Sequence, residues 1–115
     1  MHELSIAHSL VEIASEAACQ ANAKRVEAVT LRLGALSGVV KDALLFSYDI
    51  VIEDTPLAGS RLQIEELPVV VYCPDCDVQS TLPGVQQFRC DRCGRPTAQI
   101  IQGKELEIIS LEYTE

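Results

Sequence analysis

The sequence predicts an α+β chain: two helices on a small three-stranded mixed sheet, with a four-cysteine ribbon inserted between the second and third strands. Three observations predict it. Two stretches carry apolar residues at spacings of three and four, the mark of helices with one buried face. Three others are rich in Val, Leu and Ile interleaved with polar residues, as half-buried strands are. Residues 68–103 differ from both, holding four of the five cysteines, four of the five prolines and three of the six glycines.

The elements follow in order. The first 22 residues read as a helix with Ala7, Leu10, Val11, Ala14, Ala17, Ala18 and Ala21 along one side and Ser9, Glu12, Glu16 and Gln20 on the other. Alanine and leucine also have high helix propensity. Cys19 falls in this helix and reads as a small buried or half-buried residue. "NAKR" ends the helix, and "RVEAVTLRLG" reads as a strand closing on Gly34. "ALSGVV" is a loop. In "KDALLFSYDIVIED", Leu44, Tyr48 and Val51 share a helical face with Leu45 and Ile52 beside it. Its end, "YDIVIE", also has strand character, but the length of the run and the stop at "TPLAGS" favour a helix. "SRLQIEELP" is the second strand and "ELEIISLEY" the third. Residues 1–67 and 104–115 then form one α/β domain, and 68–103 an inserted module.

A chain of 115 residues is one small domain with such a module attached. With no Trp, three Tyr and two Phe, its core must be aliphatic. Nine basic residues against 17 acidic ones give a net charge of −8. Phosphate backbones and anionic membranes need a basic surface, so neither nucleic acid nor membrane is expected as a partner. The acidic surface suits cations and basic protein patches, and it also serves solubility. No run approaches the ~18 apolar residues of a membrane span, and no secretory signal is visible. A cytoplasmic location is expected, where cysteines act as ligands or spare thiols rather than as a disulfide framework.

"CPDC" and "CDRC" place Cys73 with Cys76 and Cys90 with Cys93, the pairs separated by 13 residues. Each C-x-x-C can present two thiolates from one turn, and two such turns complete a tetrahedral sulfur site that suits Zn²⁺. Pro74 favours the first turn, and Gly94 permits a positive φ after the last ligand. Iron in a rubredoxin-like site is the chemical rival, and a redox dithiol a weaker one, since that needs only one such pair. With all four positions filled by protein, the site is structural, and metal binding would drive the folding of so small a module.

The chain opens "MHELSIAHSL". If Met1 is retained as the terminus, its α-amine, the His2 amide nitrogen and the His2 imidazole can close adjacent chelate rings on one ion. The Glu3 amide can complete a nitrogen plane. Ni²⁺ and Cu²⁺ accept that tetragonal geometry. An amine with a pKa of about 7.7–8.0 deprotonates for ligation at accessible pH. Glu3 can equally serve the positive end of the first helix. His8 is either a second ligand one turn on or an ordinary helix residue.

"MHELSIA", "KRVEAVTLRLGALSGV", "LQIEELP" leading into the two C-x-x-C pairs, and "ELEIISLEY" together resemble, in order and over essentially the whole chain, the HypA/HybF family. The resemblance implies a nickel-insertion accessory protein of [NiFe]-hydrogenase maturation, with a nickel-binding α/β domain and a zinc-ribbon domain. It implies Ni(II) as the transported ion at Met1, His2 and Glu3, and structural Zn(II) at Cys73, Cys76, Cys90 and Cys93. Asp42, at the start of the second helix, matches an acidic position near the family's nickel site; a helix N-terminal acid is the other reading. The implied partners are a HypB-type GTPase and the hydrogenase large-subunit precursor, in some organisms also urease, with the chain a monomer or weak homodimer. No histidine lies close to the cysteine pairs, so histidine remodelling of the zinc site is not expected.

A metallochaperone is a binding protein, not an enzyme. Accordingly the sequence has no G-x-x-x-x-G-K-[ST] loop and no evident triad, its two histidines both lying near the start. The alternative class is a zinc-ribbon adaptor in transcription or translation, which the charge of −8 opposes. A third is a small metalloenzyme with a C-x-x-C redox centre, which stoichiometric zinc without thiol-dependent activity would dispose of.

Overall fold

The computed structural model describes residues 3–84 and 87–115. In chain order the elements are α1 (Glu3–Gln20), β1 (Arg25–Gly34), α2 (Lys41–Val51), β2 (Arg61–Leu67), β3 (Val69–Cys73), β4 (Val78–Leu82), β5 (Ile100–Gln102) and β6 (Leu106–Thr114). The expected two helices and three-stranded mixed sheet are all present. Strands β3, β4 and β5 form a second sheet, inside the cysteine module, that has no counterpart among the three expected strands.

The first sheet has the order β2-β1-β6. Its directions follow from hydrogen bonds at its ends. The Lys24 N–H donates to the Thr114 carbonyl and the Gly34 N–H to the Glu105 carbonyl, each at 2.8 Å, so β6 runs antiparallel to β1. On the other side the Thr30 hydroxyl donates to Gln63 Oε1 at 3.1 Å, and the Ala35 N–H to the Leu67 carbonyl at 3.0 Å. Those residue numbers rise together, so β2 is parallel to β1. Parallel neighbours need a crossover, and α2 supplies it.

The chain divides into two compact units. The first takes in residues up to Leu31, with Val39–Glu65 and Glu107–Glu115; the second takes in Arg32–Gly38 and Glu66–Leu106.

In the first unit, α1 and α2 pack together over an aliphatic core. Ala7, Leu10, Val11, Ala14 and Ala18 of α1 meet Leu44, Tyr48 and Ile52 and, from the sheet, Val26, Val29, Leu31 and Leu62. Tyr48 is the largest fully buried side chain, and its hydroxyl is satisfied by Ser60 Oγ at 2.6 Å. Burial raises its pKa above the ordinary phenol range.

Helix α1 ends where "NAKR" predicts. Asn22 takes a φ of 56°, the Ala23 N–H reaches back to the Ala18 carbonyl and the Asn22 N–H to that of Cys19. That pairing is a Schellman end with asparagine in the left-handed position. Ala17 and Cys19 face outward, contrary to their expected burial, because Ala18 between them takes the inward direction. Helix α2 stops at Val51, three residues short of the expected end. Thr55 stops it: its hydroxyl donates to the Ile52 carbonyl and accepts from the Leu57 N–H. "YDIVIE" is therefore helix and turn, not strand.

In the second unit, β3 pairs antiparallel with β4 and β5. Val69, Val71 and Cys73 alternate inward along β3. Val69, Val71 and Leu82 make a small core, with Leu36, Phe88 and Ile100 against it. Gly34 has no room for a side chain: a Cβ there would run into the backbone carbonyl of Gly103 and lie 2.7 Å from the Glu105 nitrogen. Backbone cannot swing aside as a side-chain tip can. Gly34→Ala is expected to cost about 3 kcal/mol, the upper end for overpacking; a denaturant midpoint equal to wild type would contradict this close approach.

Among the described residues no helix is long and apolar enough to cross a membrane.

Candidate metal centre

The β3–β4 hairpin carries the first cysteine pair. Cys73 ends β3 opposite Val78, the first residue of β4, so Pro74–Asp77 form the turn. Asp77 closes it with a φ of 53° and accepts from the Tyr72 hydroxyl at 2.6 Å. The second pair sits in a loop closed by a bridge between Arg89 and Pro96. There the Cys90 N–H donates to the Arg95 carbonyl and the Gly94 N–H to the Cys90 carbonyl. Gly94 takes a φ of 74°, the left-handed conformation expected of it. Thr97 ties the two halves together, its hydroxyl donating to the Tyr72 carbonyl at 2.6 Å.

These two turns bring Cys73, Cys76, Cys90 and Cys93 together with all four sulfurs within 4.8 Å of one another. Cys73 Sγ and Cys93 Sγ are 3.7 Å apart. A metal–sulfur bond of about 2.3 Å gives a regular tetrahedron with edges of about 3.8 Å, so the spacing fits four thiolates on one ion such as zinc. Among the described residues this is the one group of three or more Cys, His, Asp or Glu side chains so gathered. Cys73 and Cys90 are buried, Cys76 is half-buried and Cys93 is exposed.

The electrostatics of the quartet call for a cation. The backbone N–H of Cys93 and then that of Arg92 stabilise the Cys90 thiolate, lowering its pKa to about 6. Cys76 is pushed the other way, to about 12, by the Cys93 thiol, by burial and by the sulfurs of Cys90 and Cys73. Crowded sulfurs cannot all ionise without a positive ion between them. With its pKa lowered, Cys90 gives up its proton to an incoming metal more readily than Cys76 does. Below about pH 6 its proton must be displaced as well, so metal affinity is expected to fall more steeply with acid below that pH than above it. A chelator-competition titration from pH 8 to 5 measures the slope; an unbroken slope through pH 6 would contradict this.

The other expected ligands are placed less completely. Met1 and His2 lie outside the described residues. Glu3 opens α1, and its Oε2 accepts from the Val40 N–H at 3.2 Å. Val40 caps α2 with no side chain of its own bonded there, so Glu3 supplies the acceptor from another helix. Asp42 follows two residues later, exposed in the first turn of α2. The fold thus brings Glu3 to the start of the helix that carries Asp42. His8 is exposed on α1. Sequence patterns did not disclose the Glu3–Val40 contact, because it joins positions 37 residues apart.

Comparison with known proteins matches the same features. The family described as "Hydrogenase/urease nickel incorporation, metallochaperone, hypA" covers residues 1–113. A hydrogenase maturation factor HypA from Chloroflexus aurantiacus is 60% identical over 112 residues, covering 97% of this chain and 98% of the relative. Another, from a Roseiflexus species, is 58% identical over 113 residues, covering 98% and 92%. Among solved structures, the nickel metallochaperone HypA from Helicobacter pylori aligns over 99% of this chain and 98% of that one, with a TM-score of 0.69 and 26% identity. The two cysteine turns, the mixed sheet with its crossover helix and these whole-length matches agree: the chain belongs to the HypA family, the nickel metallochaperones of hydrogenase maturation.

Proposed function

We propose that this chain binds Ni(II) at its N-terminus and delivers it, with a HypB-type GTPase, into the large-subunit precursor of [NiFe]-hydrogenase. Met1 contributes its amine, His2 its ring and amide nitrogens, and Glu3 its amide, with Asp42 close by. Zn(II) is the resident ion of the ribbon, held by Cys73, Cys76, Cys90 and Cys93 as a structural tetrathiolate. Four protein donors leave that ion no open position, so it takes no part in exchange.

The observation that carries this reading is the Glu3–Val40 hydrogen bond. It brings Glu3, the first residue of α1, to the start of α2, the helix that carries Asp42 in its first turn, which supports the reading. Asp42, exposed in the first turn of α2, offers a carboxylate oxygen of the kind a divalent cation accepts. A site built at a chain end can open to release its ion, which a delivery protein requires. The sequence has no phosphate-binding loop, so nucleotide energy must come from the partner. In the cytoplasm, where such partners work, the chain acts as a binding protein, not an enzyme.

The test is a transfer assay. Nickel-loaded chain is mixed with the purified GTPase, GTP and large-subunit precursor, and nickel in the precursor is counted. Transfer is expected to need both the chain and GTP. Equal loading of the precursor by free nickel at the same concentration would contradict a delivery role.

A further inference from the structure

Two hydrogen-bonded clasps run crosswise through the ribbon, outside the four thiols. Asp75 lies inside the first cysteine turn, and its Oδ2 accepts from Nη1 of Arg95, just past the second turn, at 2.9 Å. Asp91 lies inside the second turn, and its Oδ1 accepts from the Ser80 hydroxyl at 2.8 Å. Its own N–H donates back to the same oxygen at 3.2 Å. Ser80 sits on β4, the strand that leaves the first turn. Each cysteine turn is therefore tied to the segment that follows the other.

We propose that these clasps fix the four sulfurs as a tetrahedron and so make the ribbon reject nickel, with Ser80 and Asp91 as the principal positioning residues. This rests on the reading that the ribbon holds zinc while the chain carries nickel. Zinc imposes no geometry of its own and accepts the tetrahedron it is offered. Nickel gains from drawing its donors toward a plane. At about 2.3 Å per bond, opposite sulfurs in a plane stand about 4.6 Å apart and neighbours about 3.3 Å, whereas a tetrahedron has six equal edges. Flattening the cage means rotating one cysteine turn against the other, and the clasps oppose that rotation.

The two clasps are unequal. The Arg95 and Asp75 side chains are 68% and 57% exposed, so water and salt screen their ion pair and it contributes little. Ser80 is 1% exposed while Asp91 is exposed, so their charge-assisted bond is part-buried and less screened than the surface ion pair. The chain needs such a device because it handles nickel while depending on a different ion for its fold. A pliable four-thiol cage would surrender its zinc to the cargo.

The test uses the full chain loaded with zinc, with His2→Ala added so that nickel at the N-terminus does not interfere. Wild-type ribbon, Ser80→Ala, Asp91→Asn and Arg95→Ala are challenged with excess Ni²⁺. Zinc release is followed with a chromogenic chelator, and nickel–thiolate bonding by its charge-transfer absorption. Ser80→Ala is expected to bind zinc about tenfold more weakly and to gain the nickel–thiolate band, with a smaller effect for Arg95→Ala. Asp91→Asn keeps an oxygen acceptor but removes the charge that strengthens the bond, so it weakens the same clasp, by less than Ser80→Ala, and reads it should Ser80→Ala not fold. Zinc retention and nickel exclusion equal to wild type in either variant would overturn the proposal. So would faster zinc loss with no nickel–thiolate band, which marks support of the fold without selection of the ion. Nickel uptake by protein with His2 intact is measured separately, so failure of the carrier reading shows as no uptake there.

Discussion

Cys73→Ser is expected to empty the ribbon of its ion and unfold the second unit. Among the described residues, the buried members of that unit's apolar cluster are Val69, Val71 and Leu82, each contributing about 1.5–3 kcal/mol. A structural zinc site contributes about 10–16 kcal/mol in small metal-dependent folds, so the ion outweighs the core. Loss of one thiolate from four opens the site to water and protons. Metal analysis should find the variant without zinc, and amide exchange in β3 and β4 should lose its protection. The amides of α1 have their own aliphatic core and should stay protected. Cys19→Ser is the control: that thiol is exposed on α1, outside the quartet, and its loss should leave metal content unchanged. A melting profile for Cys73→Ser identical to wild type would contradict a structural metal.

His2→Ala is expected to abolish nickel binding while leaving zinc content and melting behaviour as they were. The imidazole is the one aromatic nitrogen donor in the proposed terminal chelate, and alanine offers no donor in its place. Residues added ahead of Met1 should weaken nickel binding too, because the amine becomes an amide and moves away from His2. Isothermal titration of zinc-loaded protein measures both effects. Nickel affinity in His2→Ala equal to wild type would remove the N-terminal site from the account. Glu3 separates two roles within the same experiment. Glu3→Gln keeps an oxygen acceptor for the Val40 N–H and the backbone amide, so it should bind nickel better than Glu3→Ala does.

Strong local periodicity carried most of the first unit. The strand Arg25–Gly34 has the limits its Val and Leu content and closing glycine suggest, and α1 ends at the asparagine that takes the left-handed turn. The cysteine quartet was legible because C-x-x-C spacing is itself a turn geometry. What the sequence concealed is tertiary. The short strands β3, β4 and β5 hold too few residues to show a period, and β5 spans only Ile100–Gln102. The parallel pairing of β1 with β2 depends on the α2 crossover rather than on any local pattern. The Glu3–Val40 bond and the Ser80–Asp91 clasp join side chains to distant partners, so no window of sequence contains them. Cys19 misleads for a simpler reason: a helix face only about 100° wide leaves the neighbours of Ala18 outside it.

The central claim is that one chain keeps two ions apart by donor chemistry, sulfur for the resident and nitrogen for the cargo. X-ray absorption at the zinc and nickel edges of the untagged protein, loaded with both ions, tests it most directly. The account predicts a zinc edge with about four sulfurs at about 2.3 Å and a nickel edge with nitrogen and oxygen neighbours and no sulfur. Sulfur in the first shell of nickel, or nitrogen in place of sulfur around zinc, would contradict it.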